Sequence, residues 1–598
     1  MMTTDRRIRY GEAPMRGIAM VWAVACVAYI IFRWNDILTM NFPDADDAMR
    51  LVQVRDLIAG QGWFDLHQYR IAPPDGAFMH WSRIVDLPLA ALILLLRPLL
   101  GQELAETVTA TIVPLALLGA TMAVIGRLTW RLLGKEAAIF ACIALPLMPL
   151  VLAQFGPLRI DHHAWQILMS AVALYALSWR QPVMGARVAG LAMGVGTVIS
   201  LELLPMAAIF ALVFLARWLC DQRERTQLPA YLQILAASQI VLFALTRGPD
   251  LAPWCDAIAP AHLAFFAIAA LGTSAIARVP QLPPVAILVG LGLTGGAGLA
   301  WFATASPQCL GSPFGNLDPL VYDYWYLNVM EGQPIWRLDG KFIAIVLPQV
   351  LISLGLGLFL ALRNRNWLQR WWFEYSFVLF AAALAGVVTT RSLAMAAVLG
   401  SVALGWGVAQ LMAASAETRK PLRKLVGVAA IVLALVPAVG VTLAQPLVAR
   451  SSSANGVMAK AQATDETCDT GFGFGMLERM EQHMLLSQID LGPAILAQTP
   501  HRVLATAHHR GQLAMRDTIQ IFTLPAEEAR PMVANLGADY LLTCTEMNEV
   551  RLYRNNASRD ALAWRLHEGK PPEWLEPVAN ADLQEGFVLW RVDRSAMP

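Results

Sequence analysis

The chain reads as a polytopic α-helical membrane protein that ends in a small α/β domain. Three observations predict this. Of its 598 residues 57% are hydrophobic and only 15% charged, where soluble domains carry about 25% charged residues. Apolar windows of about 20 residues, the length that crosses ~30 Å of hydrocarbon, recur along residues 1–444. From residue 445 the composition turns polar for the rest of the chain, long enough for one small domain. The formal net charge of +1 gives no reason to expect a nucleic-acid partner.

Taken in order, the windows fall near 17–33, 107–126, 137–155, 162–178, 187–203, 204–219, 230–246, 261–277, 283–303, 342–362, 373–389, 392–413 and 424–444, thirteen in all. The first lacks a small-residue cleavage site after Trp22–Phe32, so it is read as a spanning helix and not as a signal peptide. A further apolar stretch at 86–100 holds two prolines and Arg97. Charge decides whether it crosses. With Arg6, Arg7, Arg9 and Arg16 cytoplasmic, the basic loops around Arg127/Arg131/Lys135, Arg180/Arg187, Arg217/Arg223/Arg225, Arg363/Arg365/Arg370 and Arg419/Lys420/Arg423/Lys424 are cytoplasmic only if 86–100 does not cross. The expected topology is therefore N-terminus in, thirteen crossings, C-terminus out. It places 34–106, 156–161, 247–260, 304–341 and the tail 445–598 outside, in the periplasm if the host is a Gram-negative bacterium. The transmembrane domain is expected over 1–444, and a linker near 450–465, where S-S-S-A-N-G stands.

Four of the seven cysteines map outside. In an oxidising compartment Cys255–Cys309 and Cys468–Cys544 are reasonable pairs, with four free thiols the alternative. No C-x-x-C or zinc spacing, P-loop, dinucleotide fingerprint or G-x-S-x-G is present.

The outer segments concentrate carboxylates beside the membrane boundary. F-P-D-A-D-D-A-M-R-L-V opens the first loop with Asp44, Asp46 and Asp47; R-I-D-H-H brings Asp161, His162 and His163; Y-L-N-V-M-E-G-Q-P-I brings Glu331. Carboxylates with an imidazole suit a divalent ion such as Mg²⁺ or Mn²⁺ that keeps positions open for phosphate. Each group has a plainer reading: the aspartates as helix caps, the histidines as interfacial residues, Glu331 as a turn carboxylate. Their shared side of the membrane is what unites them. Glu202 and Arg391 lie near the outer ends of apolar segments, where charge is costly and marks function. Arg391 could hold a phosphate through its planar fork. His508-His509-Arg510 in the tail reads as solvated.

With these residues in view, D-A-D-D-A-M-R-L-V, P-P-D-G-A-F-M-H-W-S-R-I-V-D-L (73–87) and G-P-L-R-I-D-H-H-A-W (156–165) together resemble the catalytic subunit of oligosaccharyltransferase, in its archaeal and bacterial single-subunit forms. The resemblance implies the C-type glycosyltransferase fold: thirteen transmembrane helices, a large partly embedded first outer loop and a C-terminal outer domain. It also implies roles. Asp44 matches the aspartate that binds metal and approaches the acceptor. Asp161 and His163 match the second-loop metal pair, and Glu331 the glutamate that completes the site. Arg391 is similar in placement to the arginine that grips the donor phosphate. The family's W-W-D-Y-G motif corresponds to Q-I-D-L-G-P-A-I-L, 488–496, which keeps Asp490 and Gly492 and lacks both tryptophans and the tyrosine. Asp490, Gly492 and Asp47 are the candidate acceptor-side residues.

The expected activity is inverting transfer of a sugar or oligosaccharide from a polyprenyl-phosphate or polyprenyl-pyrophosphate donor. The acceptor is a protein, lipid or glycan on the outer face of a bacterial inner membrane. Mg²⁺ or Mn²⁺ is the expected cofactor, and the enzyme is expected to act as a monomer among membrane lipids. Two alternatives stand beside it: a metal-independent transferase of polyprenyl-phosphate monosaccharides, and a non-catalytic transporter of lipid-linked saccharide.

Overall fold

The structure, a computed structural model, describes residues 13–311, 314–448, 468, 470–579 and 582–596. Arg6, Arg7 and Arg9 and the expected linker 450–465 lie outside the described residues. Every one of the thirteen apolar windows is helical. The chain opens with α1 (Met15–Phe32), and the first loop holds α2 (Trp34–Thr39), α3 (Ala45–Ile58) and α4 (Arg83–Leu100). Then come α5 (Gln102–Leu133), α6 (Lys135–Leu147), α7 (Pro149–Phe155), α8 (His163–Ala176), α9 (Pro182–Ile199), α10 (Leu204–Cys220), α11 (Gln227–Thr246), α12 (Pro260–Arg278) and α13 (Pro284–Ala305). After the short α14 (Pro319–Tyr324) follow α15 (Gly340–Arg363), α16 (Asn366–Val388), α17 (Leu393–Glu417), α18 (Pro421–Leu435) and α19 (Pro437–Val448).

Among the described residues ten helices are long and apolar enough to cross a membrane, and the pairs α6–α7 and α18–α19, bent by 73° and 107°, add up to two more. The bends sit where Pro149 and Pro437 begin the second helix of each pair, because a proline cannot continue the hydrogen-bond ladder of the helix before it. The remaining window is α8. At 14 residues it reaches about 21 Å, short of ~30 Å of hydrocarbon, so it is not among the membrane-crossing helices, and its N-terminus opens inside the protein at His163. Helix α4 carries Arg83, Asp86 and Arg97 and two internal prolines, and is not among the membrane-crossing helices.

Helix α17 is the centre of the bundle, 89% of its apolar window being buried against 11% for α13 at the rim. Small residues let the backbones close up. A Cβ on Gly405 of α17 would stand 2.5 Å from the Ala137 carbonyl oxygen of α6, and one on Gly190 of α9 would stand 2.3 Å from the Tyr231 oxygen of α11. Without a hydrophobic drive between helices in lipid, such close packing is a main source of association.

The tail forms a five-stranded sheet. Its strands are β3 (Met484–Leu486), β4 (Arg502–Val503), β5 (Tyr540–Cys544), β6 (Leu575–Pro577) and β7 (Phe587–Val592), after β1 (His67–Gln68) and β2 (Ala77–Phe78) of a first-loop hairpin. The order is β4-β3-β5-β7-β6, parallel from β4 to β5 and antiparallel beyond. Helices α20 (Gly492–Gln498), α21 (Gln512–Thr523), α22 (Ala526–Asn535), α23 (Asn548–Asn555) and α24 (Leu562–His567) surround it. The β4 edge is covered by the first loop. Val503 donates its N–H to the Arg70 carbonyl at 2.8 Å, and Ala72 donates to the Val503 carbonyl at 2.9 Å. Met49, Val52, Ile71, Met79 and Trp81 of the first loop share one apolar core with Leu485, Ile495 and Val503 of the tail. Cys255–Cys309 and Cys468–Cys544 are both disulfides. The first loop, 156–161, 247–260, 306–339 and the tail therefore touch one another at one face of the bundle, the loop face.

Candidate active site

The site lies on the loop face where α3 and α8 both begin. Asp44 caps α3, its carboxylate accepting the Asp46 N–H at 3.0 Å. The cap and the site coincide, since capping puts Asp44, Asp46 and Asp47 in the first turn. Opposite them the chain between α7 and α8 is turned by Leu158, which stands at φ 69° and donates its N–H to Ala110 at 3.0 Å. A branched residue in the left-handed region costs roughly 1–2 kcal/mol, and such strain collects at functional sites. The turn aims Arg159 and Asp161 at α3.

Asp47 is fully buried. It accepts from Arg159 Nη1 at 2.7 Å and from the Asp161 N–H at 2.9 Å, and Arg159 also lies 3.2 Å from Asp44. Asp161 Oδ1 takes His162 Nδ1 at 2.6 Å and Arg50 Nη2 at 3.1 Å. Arg50, itself fully buried, is fixed from behind by Asp86 at 3.0 Å, and Asp86 also receives Arg83 at 3.1 Å. Asp161 Oδ2 is buried and makes no hydrogen bond, although His163 Nε2 stands 3.4 Å away. His163 Nε2 is also 3.9 Å from Glu331, whose carboxylate lies 3.3 Å from Arg391. Arg391 pairs in addition with Glu202. His508 of the tail closes the far side, its Nε2 3.1 Å from Asp46.

Electrostatics separates the aspartates. Desolvation, with Asp46 and Glu331 nearby, pushes Asp44 up to about 6 against the pull of Arg159. Asp161 is held well below the usual carboxylate range: burial opposes ionisation, and His162, His163 and Arg50 overcome it. An ionised carboxylate with one idle oxygen is therefore set among imidazoles. Ligand atoms of Asp161, His162 and His163 all lie within 4.8 Å of one another. This donor set, with Glu331 and Asp44 at its margin, fits a divalent ion.

Of the residues singled out in the sequence, Asp44, Asp47, Asp161, His163, Glu331 and Arg391 meet here. Asp490 lies across α3 at the start of α20, exposed, near enough to His508 to feel its charge. Gly492 is buried, and a Cβ there would stand 2.3 Å from the Ala505 carbonyl, so close packing requires a glycine. Sequence reasoning missed Arg50, Asp86, Arg159 and His508 as members of the cluster. Arg159 had a signal, standing two residues before Asp161 in the same outer segment. His508 and Arg510 depart from the solvated reading of the sequence: His508 is buried and Arg510 half-buried, and they pair with Asp46 and Asp256 respectively.

No family model matches the chain, and no curated protein matches it. Solved structures do. The fold and this loop-face site define a multi-pass membrane protein with the C-type glycosyltransferase fold. The archaeal oligosaccharyltransferase AglB from Archaeoglobus fulgidus, in complex with an inhibitory peptide and a dolichol-phosphate, superposes with a TM-score of 0.64 at 14% identity, over 97% of this chain and 75% of that one. The Archaeoglobus fulgidus oligosaccharyltransferase in its apo form gives 0.61 at 14% identity, over 94% and 73%. The same enzyme in complex with Zn and sulfate gives 0.57 at 13% identity, over 97% and 74%.

Proposed function

We propose that this protein is a membrane glycosyltransferase that moves a sugar or oligosaccharide from a polyprenyl-phosphate or polyprenyl-pyrophosphate donor to an acceptor at the loop face. One observation carries the reading. Five ionisable residues from four distant segments, Asp44, Asp161, His163, Glu331 and Arg391, converge at one point on a fold shared with an enzyme solved with dolichol-phosphate. The loop face is the outside of a bacterial inner membrane, with the N-terminus cytoplasmic and residues 445–598 forming the outer domain.

In this reading Asp161 and His163 hold the ion, Mg²⁺ or Mn²⁺, with Glu331 and Asp44 completing its shell. The idle Asp161 Oδ2 and the Zn complex of the fold neighbour support a divalent metal. When bound, it would neutralise the charge that grows on the departing phosphate. Arg391 fixes that phosphate with its fork and places the anomeric carbon toward Asp44. The acceptor nucleophile attacks from the face opposite the phosphate, so the C1–O bond to phosphate breaks with inversion. Asp44 orients the nucleophile and takes its proton. Asp47 and Arg159 hold Asp44 and Asp161 in register, and Asp490 meets the acceptor on the tail side. The acceptor is a protein, lipid or glycan.

The test pairs Mn²⁺ binding with a transfer assay on lipid-linked donor. Asp161→Ala/His163→Ala is expected to lose Mn²⁺ binding and at least about 10²-fold in rate, the scale of several kcal/mol of charge stabilisation. Transfer that persists in wild type without any bound ion favours the metal-independent monosaccharide transferase. Binding of lipid-linked saccharide with no turnover favours the transporter.

A further inference from the structure

A second cluster of ligating side chains stands apart from the residues assigned to transfer. His80 from the first loop, Asp256 from the loop between α11 and α12, and His509 from the tail place one ligand atom each within 4.8 Å of the others. Three chain segments thus contribute one residue apiece, and each is held by something other than the cluster. Arg247 Nη1 donates to the His80 carbonyl at 3.1 Å. Asp256 follows Cys255, which is bonded to Cys309. His509 packs edge-on against the ring of Phe314 and stacks with that of Trp325, with centroids 5.1 and 6.5 Å away.

Asp256 Oδ2 receives His509 Nε2 at 2.6 Å and Arg510 Nε at 2.8 Å, and Arg510 Nη2 donates to Oδ1 at 2.7 Å. The salt bridge is complete without His80. Yet the His80 ring faces His509, with centroids 4.9 Å apart, and makes no hydrogen bond among the described residues. No side chain among the described residues claims either ring nitrogen, so a lone pair of His80 is available to a cation held by Asp256 and His509.

We propose that His80, Asp256 and His509 form a structural Zn²⁺ site that ties the first loop, the α11–α12 loop and the tail together. The ion would replace the proton shared by His509 and Asp256 and engage the idle imidazole of His80. Two imidazole nitrogens and one carboxylate oxygen are zinc ligands; most structural sites are closed by a fourth protein ligand, whereas three leave the fourth position to water, so this ion would cross-link three segments and keep one exchangeable position. Arg510 selects the metal. It already offsets the Asp256 charge, which removes most of the attraction for hard Mg²⁺ and leaves imidazole bonding, which favours Zn²⁺, to decide.

The experiment is metal content by mass spectrometry on the full chain in detergent, after Zn²⁺ loading and dialysis, with visible absorption of the Co²⁺ form as a second readout. Wild type is expected to keep two ions, and His80→Ala and Asp161→Ala/His163→Ala one each. Millimolar Mg²⁺ should displace only the ion lost in the latter. Zinc content and Co²⁺ spectrum unchanged in His80→Ala overturn the proposal. His80→Gln, checked for monodispersity, guards against misfolding. Loss of one ion in His80→Ala but none in Asp161→Ala/His163→Ala upholds this site while removing the metal from the transfer mechanism.

Discussion

At the scale of single residues the protein buries charge only in company. Asp86, Arg50, Asp161 and Arg159 are all inside, and each finds opposite charge within about hydrogen-bond distance. Breaking one such pair is far more costly than the pair is worth. Glu549 of the tail shows the other regime. It is buried, accepts the Ile489 and Asp490 N–H groups at 2.8 and 3.0 Å, and has no cationic partner among the described residues. Desolvation and the nearby Asp490 push it up to about 8. A carboxyl raised in the folded state binds more protons there than in the unfolded chain, so its contribution to stability is complete at low pH. That contribution is lost as pH rises from the ordinary glutamate range through about 8. Thermal unfolding at pH 6 and pH 9 should show a falling midpoint in wild type and a smaller fall in Glu549→Gln. Among the acids and bases of the candidate site, Asp161, His163, Glu202 and Arg391 were legible because each interrupts or borders an apolar window, and Asp44 and Glu331 because the expected topology puts their segments on the same side of the membrane. Arg50, Asp86 and His508 were not, because the contacts that bring them into the cluster reach 36 to 462 positions along the chain and nothing in the local pattern announces them.

At the scale of elements, hydropathy is a sufficient guide to where helices run and a poor guide to how they stop. All thirteen windows are helices, since apolar side chains and a self-satisfied backbone leave no other choice in lipid. The breaks before Pro149 and Pro437 could have been read from those prolines, whereas the short length of α8 could not, because it depends on the cluster that its N-terminus enters. Packing between these helices rests on small residues. Gly405→Leu puts a side chain where the α6 backbone already lies, with Ala141 Cα 2.7 Å from the added Cβ. We expect a loss of about 1–3 kcal/mol or more from overpacking, seen as a lower unfolding midpoint in detergent. Gly355→Ala on α15 is the control, since nothing lies within 4 Å of its Cβ position, and it should be neutral or slightly stabilising.

At the scale of the whole molecule, the tail and the first loop are one structure made from opposite ends of the chain. Arg70 clamps them: its guanidinium donates to the Leu496, Thr499 and His501 carbonyls at 2.7, 2.9 and 3.2 Å. Arg70→Ala strands carbonyls that a charged donor satisfied, a loss of about 1.5–3 kcal/mol. It should speed hydrogen exchange at the Val503 amide while leaving α17 unchanged. Composition marked the tail as a polar unit. It gave no sign of the seam, because pairing between β4 and residues 70–72 depends on neither the hydropathy nor the period of either segment.

That seam has a consequence in time. The first loop emerges early in synthesis, and its partner Val503 follows more than 400 residues later. At roughly 5–20 residues per second, about 20–90 seconds pass in which Met49, Ile71 and Trp81 lack their tail partners Leu485, Ile495 and Val503. The newborn loop must wait half-dressed, its apolar faces open to other unfinished chains. Only arrival of the tail brings His508 to Asp46, so the cluster is assembled last, and a chain cut before the tail would lack it however well inserted.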